Sequence, residues 1–444
     1  MASIPPLAGL CTYEQAAITG TTVDETVRLV RRVARIEHRT LLVLAAHLNA
    51  VPEWEVKCAL ALHIWQDAEH CLWLRARVTE LRKPPHFLDK PDDDALEAFF
   101  EELVRSRSTQ ELLTGVYAVL KPALLAGVDS FVARHNPLAD QPTSRLLGFL
   151  RLEERTQIAW GGEALSALGG PEPTWQAHLE AYLDAAGGAD GSTERREDVP
   201  PARGTEPLEL VRTPRRDERF TRLWNSRGRL PGFDAPADEV NWRLLYVRLT
   251  EMHVVELLAL TLYEWPDATF ETHHDLARHL WDEARHSMLG EVAFETRGVD
   301  WHTVPHELAF ASYPSTALEP RERYALLYRS EHAVMSDSKR KDAGMQHAGK
   351  RSQHAAAVAA GDPLSTLYLD FDWADEVLHV NIARRVLARA YETREERDEA
   401  GARAAAGLEQ IVERDRALPR SDWWEAFFDE VRAARAAVVE HDPP

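Results

Sequence analysis

Two octapeptides constrain this chain more than any other feature: residues 63–70 read HIWQDAEH and residues 279–286 read HLWDEARH. They share His, Trp, Ala and His at the same places, with Ile/Leu and Asp/Glu exchanges. Upstream of each, a glutamate precedes a proline by 15 residues: Glu37 before Pro52, and Glu251 before Pro266. The second copy needs a two-residue insertion before its octapeptide. One helical unit present twice explains the pattern, and 444 residues give room for two cores.

The remaining sequence fits helices. Over residues 24–183 apolar residues recur every three or four positions, as in the stripe Val30, Ala34, Leu41, Leu44 and Leu48. Pro84, Pro85 and Pro91 mark a break. Residues 185–238 are rich in Gly, Pro and charge without apolar periodicity, and read as a linker or a partly ordered belt. Further helices are expected near 239–263, 270–295, 320–347 and 364–393, with a terminal helical segment near 396–438. No stretch alternates as a half-buried strand does. The expected class is all-α, with domains at 1–184 and 239–444 joined by 185–238.

Residues 239–393 hold their acids and histidines in a telling order. Glu251 comes first, then Glu283-x-x-His286, then Glu331, then Glu376-x-x-His379. Residues three apart share a helix face, so each Glu-x-x-His pair aims a carboxylate and an imidazole at one point. Glu251 lies on an apolar stripe with Leu244, Val247, Val255 and Leu258, and Glu331 lies among Leu327, Tyr328, Val334 and Met335. A buried acid is costly unless it is paired or metal-bound. Glu256 competes with Glu251, which is preferred because the repeat pairs it with Glu37. His279 and Asp372 each stand four residues before a motif glutamate, as extra ligands or as partners that orient ligands. The bland alternative makes all of these core histidines and salt-bridged acids.

In this ligand order, and in the long crossover near 296–319, the chain resembles the ferritin-like di-iron carboxylate superfamily. The resemblance covers about the last 200 residues well and the first 185 in part. It implies tandem four-helix bundles, the second holding two iron ions between Glu251, Glu283, His286, Glu331, Glu376 and His379. Manganese stays open, because ligand types do not separate the two metals. The resemblance also implies a non-haem oxidase or oxygenase that uses molecular oxygen, a small organic substrate and an external electron donor. Iron storage, manganese catalase chemistry and a metal-free helical scaffold are the other functions it leaves open.

The first half looks eroded. Glu37, Asp67 and His70 match half a site, with His63 four residues before Asp67. Its third helix, near 110–134, reads LLTGVYAVLKPALLAGVDSFV and lacks a central Glu; Glu154 and Gln157 stand at the Glu and His places of the fourth. A vestigial site in a structural partner domain is expected. In a rival geometry, Glu37, Asp67 and His70 share one bundle with Glu251, Glu283 and His286.

The formal charge of −20, from 72 acidic and 52 basic residues, argues against a general nucleic-acid binder. Cys11, Cys58 and Cys71 fit no disulfide or zinc pattern. No signal peptide is visible, and no apolar run approaches the roughly 18 residues of a membrane span. A cytoplasmic protein without a membrane partner is expected, with a homodimer left open. The basic run SKRKDAGMQHAGKRSQH reads as a solvated face or as a site for an anionic substrate or reductase. Within it, GMQHAGK has Walker-like spacing, but Arg351 follows where Ser or Thr belongs, so coincidence explains it.

Overall fold

The computed structural model describes residues 4–91, 93–223, 235–335, 341–342, 345–346, 349–415, 423, 425–427 and 429–431. The chain is all-α. Strands among the described residues are two-residue pairs: Arg222–Leu223 parallel to His306–Glu307, and Lys341–Asp342 antiparallel to Met345–Gln346. Two compact units emerge, one of Met1–His47 and His63–Leu210, the other of Leu48–Leu62 and Val211–Pro444. Residues 48–62 join the second unit because Trp54 packs on Phe220 and Trp301, and the buried Lys57 pairs with Glu256 at 2.8 Å. Hence the division does not follow the halves of the repeat.

In the first unit, helix Val23–His47 buries Val30, Val33, Leu41 and Leu44 on one face. Helix Asp94–Leu103 starts where Asp93 accepts from Ala95 and Leu96, and helix Gln141–Ala167 completes the core around Thr109–Arg134. This last helix is long and apolar enough, by length and composition, to cross a membrane, against the expectation of no such run. Its middle residue, Lys121, is 1% exposed and sits among buried carboxylates, which makes it a core helix here. A π-helical turn, Thr114–Leu120, precedes Lys121.

The segment expected as a linker is divided between the units. Arg32 donates to the carbonyls of Ala186, Gly188 and Ala189, and Arg203 lies 3.6 Å over the Trp175 ring, which straps this part to the first unit. From Val211 the chain belongs to the second unit, where Arg216 pairs with Glu256. Guanidinium contacts and isolated anchors such as Phe220, not a periodic stripe, hold its described residues, so it shows no apolar period.

In the second unit four helical elements pack in a ring. Met252–Tyr263 contacts Phe270–Glu295, which contacts Pro363–Ala390, then Pro320–Val334, then Met252–Tyr263 again. Ala237–Thr250 precedes the first, with a break at Glu251. Gly290 permits the close approach of this leading helix: an added Cβ there would lie 2.3 Å from the Leu249 nitrogen. Pro320 at the first turn and the Glu319/Glu322 capping box start the third element, and Asp362 caps the fourth through Ser365. The crossover near 296–319 contains a further helix, Leu308–Ala317.

The helix expected over 320–347 ends at Val334, and a separate helix, Lys350–Ala359, packs against Ala237–Thr250 and Pro363–Ala390. Gly344 and other residues of the Walker-like stretch and basic run lie outside the described residues. The terminal helix runs over Arg394–Asp415 and packs on Pro320–Val334; much of the rest to 438 lies outside the description. All three cysteines are free.

Candidate metal centre

Helix period delivers the donors. Glu283 and His286 lie one turn apart on Phe270–Glu295, and Glu376 and His379 likewise on Pro363–Ala390. Glu331 comes from the adjoining Pro320–Val334 helix, and Glu251 from the break before Met252. His279 Nε2 lies 2.9 Å from Glu331 Oε1 and 3.3 Å from Glu283 Oε1. His379 Nδ1 lies 3.4 Å from the same Glu283 oxygen, and the His279 and His379 rings stack with centroids 3.9 Å apart. On the other side, His286 Nδ1 lies 3.3 Å from Glu251 Oε2 and 3.7 Å from Glu283 Oε2. Donors ~2.1 Å from one ion stand ~3.0–3.4 Å apart, which most of these separations match.

These close approaches are not aligned as hydrogen bonds. Buried atoms without a hydrogen-bond partner include His279 Nε2, His286 Nδ1, His379 Nδ1, Glu251 Oε2, Glu283 Oε2, Glu376 Oε2 and both Glu331 oxygens. So many orphaned atoms in one place demand an explanation, and a shared cation is the direct one. Glu283 turns Oε1 toward His279 and His379, and Oε2 toward His286. It stands between two donor groups.

Outer partners hold the rings. Asp375 accepts from His286 Nε2 at 3.1 Å, and Asp282 Oδ2 lies 3.4 Å from His379 Nε2. The aspartate preceding each motif glutamate therefore faces the histidine of the other helix. Arg285 donates to both aspartates, at 2.6 and 2.7 Å, and the Tyr324 hydroxyl lies 3.2 Å from His279 Nδ1. Sequence reasoning missed Asp282 and Asp375, although each stands directly before a Glu-x-x-His motif. Such partners fix which ring nitrogen faces inward.

Two buried cations also reach the cluster. Arg248 pairs with Glu251 Oε1 at 2.5 Å and with Asp372. Lys350 Nζ lies 2.9 and 2.8 Å from the two Asp372 oxygens, and 2.9 Å from Glu376 Oε1. Asp372, expected as an extra ligand or an orienting partner, has both oxygens on these cations and also forms, with Glu251 and Glu376, a set that could hold a metal ion. Glu256 lies elsewhere, on Lys57 and Arg216.

Burial pulls the three imidazoles down, but the carboxylates override it. Glu331 and Glu283 hold His279 up at about 10, and Asp375, Glu251 and Glu283 hold His286 at about 10. His379, opposed also by the His279 charge, is held at about 9 by Asp282 and Glu283. A metal ion must displace these protons, so binding at pH 7 is expected to release up to about three of them. Affinity should rise as pH rises from 6 to 9. Calorimetric titrations in buffers of different ionisation enthalpy read this directly; an affinity independent of pH contradicts it.

The first unit gathers Glu37, Asp67, His70 and Glu154. Lys121, a residue missed by sequence reasoning, fills their centre: its Nζ lies 2.7 Å from Glu154, 3.0 Å from Asp67 and 4.0 Å from Glu37. A lone lysine inside an apolar helical run was the available signal. Gln157 donates to Asp67 at 3.3 Å, and His70 bridges Glu37 and Glu153. His63 stands apart from the set in which it was expected, paired at 2.6 Å with the Tyr117 hydroxyl. No protein-family model, curated protein or solved structure matches the chain.

Proposed function

We propose that the second unit is a ferritin-like di-metal carboxylate centre, and that the protein is a non-haem di-iron oxidase or oxygenase. The observation that carries this reading is Glu283, a buried carboxylate with one oxygen in each of two histidine-containing donor groups. Glu331, His279 and His379 would hold one ion with it, and Glu251 and His286 the other, with Glu376 adjoining that position through Glu251. Two reduced iron ions there would supply electrons to molecular oxygen, and an external donor would restore them. Arg285 and its two aspartates keep the inward nitrogens aimed, and His279, Glu283, His286 and His379 are buried from bulk water.

The substrate we infer is a small organic anion. Beside the Glu331 helix a cleft of about 590 Å³ is lined by Arg329, Arg384, Arg394 and Arg397, the last two paired with Asp398, the one acid among its described lining residues. This concentration of positive charge stands out in a chain of net charge −20. Tyr328, in the same lining, is one helical turn from Glu331.

The test is oxygen uptake by protein loaded anaerobically with iron(II), in the presence of small aromatic and aliphatic carboxylates. Uptake coupled to loss of one of these acids is expected. Arg384→Ala with Arg397→Ala should raise its KM by about tenfold or more, as loss of charge-assisted hydrogen bonds does, with iron content unchanged. Iron-loaded protein that consumes no oxygen contradicts the oxidase reading.

A further inference from the structure

The two donor groups around Glu283 differ in their charge surroundings. Among the described residues, no lysine or arginine pairs with Glu283 or Glu331, which with His279 and His379 form the first position. At the second position the remaining carboxylates are anchored on cations. Glu251 gives Oε1 to Arg248, Glu376 gives Oε1 to Lys350, and Asp372 holds both cations. Among the described residues, Glu251 Oε2 and Glu376 Oε2 have no hydrogen-bond partner.

Neither cation can leave easily. The Arg248 and Lys350 side chains are each 3% exposed. Lys350 opens helix Lys350–Ala359, which is packed against two neighbouring helices, so its ammonium is delivered by a fixed element. Arg248 stands on Ala237–Thr250, one turn before Glu251.

Charge decides the order of filling. With the histidines neutral, Glu283 and Glu331 leave two negative charges at the first position, which one divalent ion neutralises. At the second, Glu251, Asp372 and Glu376 against Arg248 and Lys350 leave one negative charge. A divalent ion there makes that side net positive, beside two buried cations. In a low-dielectric interior that imbalance opposes the second ion strongly.

Resting on the metal-centre reading above, we propose that the positions fill in sequence. The first position takes a divalent ion tightly. The second fills weakly, because Lys350 is a built-in cationic competitor for Asp372 and Glu376. Loading of the second position then sets the fraction of protein that holds both ions.

Anaerobic titration with cobalt(II), followed by visible absorption and by metal analysis, tests this. The wild-type chain should bind in two steps whose affinities differ by at least about tenfold, within the range that neighbours of ligands impose. Lys350→Met should tighten the second step until the two nearly merge, whereas Lys350→Arg, which keeps the charge, should leave them apart. Glu331→Ala should remove the tight step and spare the weak one. Two equal steps in the wild type, or a second step that Lys350→Met leaves unchanged in a protein folded by circular dichroism, overturn the proposal. Absence of cobalt binding in the folded wild type is a different result: it sinks the metal-centre reading itself, and this inference with it.

Discussion

Glu283→Ala should abolish metal binding at both positions while leaving the apo protein folded. Its two oxygens face separate donor groups, so one substitution removes a donor from each. Affinity should fall by about a hundredfold or more at each position, beyond what loss of an outer partner causes. Circular dichroism of the apo variant separates this from unfolding. His279, His286 and His379 hold the Glu283 carboxyl well below the usual carboxylate range despite its burial, so deleting it should lower the apo melting temperature somewhat. What disappears is the stabilisation by added metal, which is about 2.7 kcal/mol for a ligand at a hundred times its Kd. Thermal melts with and without iron(II), alongside metal analysis, check both points. A variant that still melts higher with iron contradicts the bridging role of Glu283.

The second large effect belongs to the first unit. Lys121→Met keeps the volume of the side chain and removes the charge that Glu37, Asp67 and Glu154 surround. Breaking a buried ion pair from one side costs about 3–5 kcal/mol, because the partner charge is left uncompensated. The loss should depend on pH. Burial already raises all three acids, Glu154 to about 7 despite Lys121. An acid raised in the folded state contributes stability that is complete below its ordinary value and is lost as pH rises through the folded one. Without Lys121 the folded values rise further, so the variant should be near wild type at pH 5 and much weaker at pH 8. Urea unfolding of the first-unit transition at both pH values measures this. A loss below about 1 kcal/mol at pH 8, the level of a surface pair, contradicts a central role for Lys121.

The gathering of these acids and histidines could be read from the sequence because their spacing follows the helix period. Glu283 with His286, and Glu376 with His379, must share a face wherever those helices go. The all-α class was readable for the same reason. The cations were not. Lys121, Arg248 and Lys350 meet their acids across helix interfaces, at separations in sequence that no local period encodes. Lys350 was further hidden by the expectation of one helix over 320–347, whereas it opens a separate one. The placement of residues 48–62 and of the described parts of 185–238 was not legible for a related reason. Trp54, Arg32 and Arg203 hold these segments by aromatic and guanidinium contacts, which leave no stripe.

The central claim is a two-metal centre confined to the second unit. Iron bound per chain, after anaerobic loading at saturating iron(II) and removal of free metal, tests it most directly. The expected result is about two ions per chain, the complement of a carboxylate di-metal site, unchanged by Glu37→Ala and lost in Glu283→Ala. A folded wild-type chain that retains no iron, or iron that survives Glu283→Ala and leaves with Glu37→Ala, contradicts it.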